Sequence, residues 1–306
     1  MRRLLALSWM LLLAAGLVCG AGDAWERDYQ RVVVLGDPHL PGKNVAAKEG
    51  VLQTINGWGD VDLVAVLGDI CEDFGTAEEY AAAKQFFAKL EKPTAIVTGN
   101  HDYVYEDAKS SRGTYVLASA ATRGAKLKRF KDTFGLDEVY HGRRLGPYLL
   151  LFLSPDHSLS RYLTELSGRQ LDWLKGQLDA NLAVPIAIFF HAPLKGTLPN
   201  YNEYANKDNF VAQPERELRE LLLRNPQVFL WVSGHTHTPA TNESYAAPIN
   251  VYENRVTNIH NADMNRERIW TNSLYFFPDK IVVKTYDHKK QDWLPHLERT
   301  LTPPRP

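Results

Sequence analysis

Five short apolar runs in this chain each end in residues that can bind a metal, and that repeated pairing restricts the available folds more than any other feature. Val34-Leu35-Gly36 leads into Asp37 and His39, Val66-Leu67-Gly68 into Asp69, and Val97-Thr98-Gly99 into Asn100 and His101. Phe189-Phe190 leads into His191, and Val232-Ser233-Gly234 into His235 and His237. The runs at 32–35, 63–67, 95–97, 149–153, 186–190 and 228–232 are short and rich in β-branched, aromatic and leucine side chains, the pattern of buried strands. Helix signals fall between them. Thr76 with Glu79 makes a capping box opening a segment that runs to about residue 92, and Ser167 with Gln170 opens another with Leu171, Leu174 and Leu178 on one face. Pro214 suits the first turn of a third helix, which carries Leu218, Leu221 and Leu222.

A β-α-β rhythm predicts parallel strands covered by helices on both faces. In such sheets ligands bind where the strands end, so the polar residues above should meet in one crevice. Residues 268–277 and 280–286 flank Pro278-Asp279 and read as an antiparallel hairpin attached to the second half of the fold.

The spacing has a chemical sense. Asp37-Pro38-His39 and His235-Thr236-His237 place their members two apart, and in extended backbone such side chains point to one side. Imidazole and carboxylate without thiolate suit divalent or trivalent metals and argue against a structural zinc finger. Asp69, alone at its strand end, can bridge two ions with its two oxygens. An isolated Asp-x-His or Gly-His-x-His is commonplace in turns. Five such pieces in order, one of them the more specific Gly-Asn-His-Asp at 99–102, are not.

Gly36-Asp37-Pro38-His39, Gly68-Asp69-Ile70-Cys71-Glu72, Gly99-Asn100-His101-Asp102, Phe190-His191-Ala192-Pro193 and Gly234-His235-Thr236-His237 together resemble the motifs of the calcineurin-like metallophosphoesterases, over residues 31 to about 240. The resemblance implies an α/β fold, a four-layer αββα sandwich of two mixed sheets flanked by helices, with a dinuclear centre between the sheets. It implies that Asp37, His39, Asp69 and His237 hold one metal while Asp69, Asn100, His191 and His235 hold the other. Two divalent or mixed-valence ions, manganese, iron or zinc, are the expected cofactors. Purple acid phosphatases in this superfamily place a tyrosine three residues after the bridging aspartate, where this chain has Glu72. Glu72 or Asp73 is instead the expected partner of His101, the catalytic histidine. The chain is most similar to the bacterial cyclic-nucleotide and glycerophosphodiester phosphodiesterase group. The expected reaction is phosphodiester hydrolysis by a metal-bridging hydroxide, with His101 stabilising charge or protonating the leaving alkoxide. The alternatives are a phosphomonoesterase such as a nucleotidase with the same centre and, from another class, an inactive metal-loaded binding protein.

Met1-Arg2-Arg3, an apolar run to Val18, and Cys19-Gly20-Ala21 read as a signal peptide over residues 1–21. The apolar run is shorter than the ~20 residues of a spanning helix, so no membrane span is expected in the mature chain. Export to the periplasm or medium follows, with lipid anchoring through Cys19 as the minor alternative. Cleavage leaves 33 basic against 36 acidic residues and Cys71 as the one cysteine. An intramolecular disulfide is thereby excluded. An acidic balance without basic runs disfavours nucleic acid as a partner and leaves a small phosphoester as the expected substrate. The oligomeric state is left open. The catalytic domain is expected over 28–290, followed by a frayed tail over 291–306. Substrate choice is expected in the loops at 102–122, 194–210 and 238–262. His141, His157, His260, His288 and His296 read as surface or supporting histidines, with His157 the one to watch, and Cys71 as buried filler.

Overall fold

In a computed structural model, the structure describes residues 27–199, 201–248 and 250–304. The leader expected over residues 1–21 lies outside them.

The first half runs β1 (Gln30–Leu35), α1 (Val45–Gly57), β2 (Val61–Leu67), α2 (Ala77–Phe87), β3 (Thr94–Val97), α3 (Asn100–Tyr103) and α4 (Ala120–Phe134). It continues through β4 (His141–Leu145), β5 (Tyr148–Phe152), α5 (Gly168–Asp179), β6 (Ile186–Phe189), α6 (Glu215–Arg224) and β7 (Val228–Ser233). The last part is strand apart from one 3-10 turn at Pro295–Leu297: β8 (Val251–Tyr252), β9 (Val256–His260), β10 (Trp270–Phe276), β11 (Ile281–Asp287), β12 (Asp292–Trp293) and β13 (Arg299–Leu301). Among the described residues these make two mixed sheets. One runs β12-β11-β10-β1-β2-β3 with β13 also on β11; the other runs β4-β5-β6-β7-β9-β8.

Three apolar layers explain the stacking. Val32, Val34, Leu63, Ala65 and Leu67 of the first sheet meet Leu150, Phe152, Ala187, Phe189 and Leu230 of the second in a shared central core. The alternate residues face outward. Val33, Leu35, Val64 and Val66 bury against α1, α2 and α4, and Leu149, Leu151, Ile186 and Ile188 against α5 and α6. Both faces of each sheet are therefore dry, which is why the strands read as unbroken apolar runs rather than alternating ones. Phe152 and Phe189 stack with centroids 4.8 Å apart at the centre, each worth roughly 1.5–3 kcal/mol of burial. The result is the expected αββα sandwich.

The helix signals hold in part. Thr76 and Glu79 form the full capping box of α2, although the helix ends at Phe87 rather than near 92. Ser167 Oγ accepts the Gln170 amide, but the Gln170 side chain turns away to donate to the Ser154 carbonyl, so the box is half made. Pro214 is the residue before α6.

Two expectations need correction. The C-terminal hairpin, β10 with β11, joins the first half of the fold, because β10 pairs antiparallel with β1. Apolar patterning gives a strand its faces but not its partner. The presumed tail also belongs to the fold: Ile281, Val282 and Val283 pair with Leu301, Thr300 and Arg299, and Leu301 packs on the central core.

Candidate metal centre

The ends of β1, β2 and β3 present Asp37, His39, Asp69 and Asn100, and those of β6 and β7 present His191, His235 and His237. Each sheet supplies half of one cleft. Ligand atoms of Asp37, His39, Asp69 and His237 lie within 4.8 Å of one another, and so do those of Asp69, His191 and His235. Asp69 belongs to both groups. Its Oδ2 lies 3.9 Å from His39 Nε2 and its Oδ1 3.4 Å from His191 Nε2, so its two oxygens face the two halves. Asn100 Oδ1 is 3.1 Å from His191 Nε2. All seven candidate ligands therefore gather in one place.

The backbone brings them there by a route the sequence did not suggest. Asp37, His39, Asp69, His235 and His237 all have positive φ, between 42° and 65°, so the two-apart pairs converge through left-handed turns and not through extended strand. Such residues cost of order 1–3 kcal/mol each and persist only when their surroundings hold them. They are held: the His39 amide donates to Asp69 O (2.9 Å), the His101 amide to Asp69 Oδ1 (2.9 Å), and the His235 amide to Asp37 Oδ1 (2.9 Å). The flanking glycines serve close approach. A Cβ on Gly234 would collide with the Asp37 carboxylate, and one on Gly99 with Asp69 and His191.

Carbonyl oxygens fix the imidazoles. His39 Nδ1–H donates to Glu72 O (3.2 Å), His191 Nδ1–H to Leu67 O (2.7 Å) and His235 Nε2–H to Asn209 O (2.9 Å). A carbonyl can only accept, so in each neutral ring the other nitrogen offers a lone pair to the centre. His191 Nε2 thus faces the Asn100 oxygen at 3.1 Å, acceptor to acceptor, and His39 Nε2 faces His237 Nε2 at 3.1 Å. Such pairs require a proton or a cation between them. The buried nitrogen and oxygen donor set without sulfur fits divalent transition metals.

The electrostatics agree. Burial pushes His39 down to about 4 and, with the nearby His191 charge, His235 down to about 3. Burial works the same way on His191 and His237, but Asp69 outweighs it at the first and Asp37 at the second, lifting both to about 9. Burial would raise Asp37 and Asp69 too, yet His237 holds Asp37 low, and His191 with His101 holds Asp69 well below the usual carboxylate range. Two protonated imidazoles thus supply the positive charge the carboxylates require.

The expected catalytic trio is placed differently. His101 lines the cleft, but its Nδ1–H donates to the backbone carbonyl of Asp73 at 3.0 Å. Glu72 does not take that role: its carboxylate accepts the Gly42 amide at 3.1 Å. The Asp73 carboxylate accepts from Tyr115 Oη and lies 3.8 Å from Lys109. Glu72 and Asp73 follow the left-handed Asp69 with their carboxylates bonded elsewhere, while the Asp73 carbonyl stays beside His101.

Several further residues support the centre. Asp102 accepts the amides of Cys71 (2.9 Å) and Gly99 (2.7 Å), tying the β2 and β3 ends together; burial and the Asp69 charge raise it to about 7. The Gly-Asn-His-Asp string contained this signal. Buried Lys48 donates to His39 O at 2.7 Å, and Arg266 to His237 O at 2.8 Å. Neither sits in a motif. Tyr105 Oη accepts from Asn100 Nδ2 at 3.2 Å, which turns the Asn100 oxygen toward the centre. Cys71 is buried, as expected of filler, and burial raises its thiol. His157 pairs with Glu165 at 3.3 Å, and His260 is wholly buried rather than on the surface.

The cleft encloses about 410 Å³ and is walled by Tyr105, Leu163, Tyr201, Tyr204 and Phe210. A larger cavity of about 750 Å³ beside β3 and β4 contains none of the candidate site residues. No helix among the described residues is long and apolar enough to cross a membrane.

The chain is 27% identical over 186 residues to a probable glycerophosphodiester phosphodiesterase GpdQ of Arcobacter nitrofigilis, covering 59% of this chain and 58% of that protein. The chain thus spans less than two thirds of that relative's length. Among solved structures, a dimetal phosphatase from Danio rerio superposes with a TM-score of 0.59 at 15% identity, over 90% of this chain and 99% of that one. The purple acid phosphatase PPD1 from yellow lupin (Lupinus luteus) gives 0.57 at 15% identity, over 90% and 54%. These likenesses show a shared fold. The calcineurin-like phosphoesterase model matches residues 30–239, more than half of the chain, and the chain belongs to that family.

Proposed function

We propose that this chain is an exported phosphodiesterase whose two metal ions are held by Asp37, His39, Asp69 and His237 on one side and by Asp69, Asn100, His191 and His235 on the other. The observation that carries the reading is the pair of ligand groups sharing Asp69, each within 4.8 Å. Two cations bound there would supply Lewis acidity, neutralise phosphoryl charge and lower the pKa of a coordinated water. Manganese, iron and zinc all suit the donors.

The chain's own residues account for the rest. Asp69 offers one oxygen to each half and would link the two ions. Asp37 and Asn100 add one oxygen donor apiece, and His39, His191 and His235 present lone pairs set by backbone carbonyls, with His237 as the fourth imidazole. His101 has its Nδ1 proton committed to Asp73 O. In its imidazolium form its Nε2–H is the one proton it can deliver to a departing alkoxide. The phosphodiester preference rests on the GpdQ likeness and on a cleft with room beyond the centre. Export rests on the order of residues 1–21.

The test is metal analysis of the purified protein together with kcat/KM for bis(p-nitrophenyl) phosphate and p-nitrophenyl phosphate. Two metals per chain and a preference for the diester are expected. A preference for the monoester would replace the reading with a phosphomonoesterase, and metal without turnover of either would indicate a binding protein.

A further inference from the structure

A buried positive charge without a counter-charge lies among residues that the metal centre does not use. Arg299 sits on β13 opposite Val283 of β11, so its side chain shares the face on which Val283 and Leu301 pack into the core between the sheets. Its three guanidinium nitrogens, Nε, Nη1 and Nη2, are sealed from solvent and have no hydrogen-bond partner among the described residues. Neighbouring acceptors are spent elsewhere. Thr285, two residues along β11 on the same face, donates to Asn272 Oδ1 at 2.7 Å, and Asn272 Nδ2 donates to Asn261 Oδ1 at 2.9 Å. Burial lowers Arg299 to about 10, so it stays charged at neutral pH, and Tyr245 rather than any carboxylate is the group that favours the charge.

Two more donors are left over beside it. Tyr245 Oη and Trp270 Nε1, whose rings pack in one cluster with Ala262, are buried and unpartnered as well. Burial raises Tyr245 to about 12 against the pull of the Arg299 charge, and burial with that same charge lowers His260 to about 3, so the guanidinium bears on both rings. Guanidinium and indole N–H groups can only donate, and a phenol donates readily. Water would meet these donors but leave the charge unbalanced, and an isolated buried ion is costly. One positive charge is neutralised by one monovalent anion, whereas a dianion would leave the site charged again. Trp270 also lines a cavity of about 520 Å³ whose rim carries Arg268 and Lys290 against Glu243, an approach whose sign suits an anion.

We infer that Arg299, with Tyr245 and Trp270, holds a small monovalent anion between the two sheets, chloride or a carboxylate of formate size, and that this anion ties β13 to the rest of the fold. Enclosure between the sheets restricts it to a few atoms. The site lies outside the phosphoester reading, and no step of hydrolysis passes through it.

The experiment uses the metal-loaded full chain and its Arg299→Met variant, which keeps an apolar stem and removes the charge. Tm is measured as chloride or formate replaces gluconate at constant ionic strength. The native Tm should rise by about 2–6 °C between about 1 and 300 mM of either anion, as expected for a ligand that binds only the folded state, and Arg299→Met should lose that rise. Crystals grown in bromide should show an anomalous peak in contact with the Arg299 nitrogens. Water at that position overturns the inference, as does a rise in Tm that Arg299→Met retains. A flat native Tm beside a bromide peak means an adventitious ion only and overturns it too. Should Arg299→Met fail to fold, the native Tm series and the bromide crystal decide between them.

Discussion

At the scale of single residues, the cleft separates side chains that gather around the centre from one that faces it. Asp69 and Asn100 lie within the cluster, whereas His101 reaches it from the cleft wall with its ring held by Asp73 O. Asp69→Asn and Asn100→Ala should therefore lose metal and turnover together. His101→Ala should keep two metals per chain while kcat falls about 10²- to 10⁴-fold, the usual worth of a positioned proton donor. Metal content and kcat measured on the same samples decide it; equal metal loss in all three variants refutes the division. The candidate ligands were legible because each follows an apolar strand. The His101 partner was not, because spacing reports side chains, and here the partner is a backbone carbonyl.

At the scale of elements, α2 connects helix capping to that carbonyl. Glu79 closes the box with Thr76, and its Oε1 also accepts the Asp73 amide at 2.7 Å, so the helix start pins the turn that orients His101. Thr76→Ala loses one cap hydrogen bond and should cost about 1 kcal/mol, a fall of a few degrees in Tm, with kcat little changed. Glu79→Ala releases the Asp73 turn as well and should lower kcat about 10- to 100-fold, the range for a residue supporting a site from behind. Equal kcat in the two variants would show that the turn needs no such support. β13 makes a similar point about stability. Truncation after residue 298 would strip Arg299–Leu301 from β11 and uncover Ile281 and Val283. The shortened chain should melt several degrees lower and bind more hydrophobic dye; an unchanged melt would show that β13 contributes nothing. Pro303, Pro304 and Pro306 masked this strand in the sequence. Three residues are too short for a periodic signal, and pairing with β11 is decided by the sheet.

At the scale of the whole molecule, apolar patterning made the strands readable, while their division into two sheets was legible only through the family resemblance. Runs buried on both faces look alike whichever neighbour they pair with, and the β1–β10 pairing crosses the entire domain. What unites the sheets chemically is the centre, since Asp37 and Asp69 come from one and His191 and His237 from the other. In the metal-free chain these join as ion pairs, with His191 and His237 at about 9. A folded value above the unfolded ~6.5 means that each histidine stabilises the fold fully below pH ~6.5 and progressively less as pH rises through 9, by at most about 1.4 kcal/mol per group per unit. His39 and His235, at about 4 and 3, act oppositely, lending stability above pH ~6.5 that is lost as pH falls through those values. The metal-free Tm should therefore peak near pH ~6.5 and fall toward pH 9. Cations fill the role of the two protons, so loading should raise Tm most at pH 8–9 and release close to two protons per chain at neutral pH. Calorimetric titration in buffers of different ionisation enthalpy counts those protons. A count near zero would mean that His191 and His237 are neutral before metal arrives, and that the two sheets are held together at this end by hydrogen bonds alone.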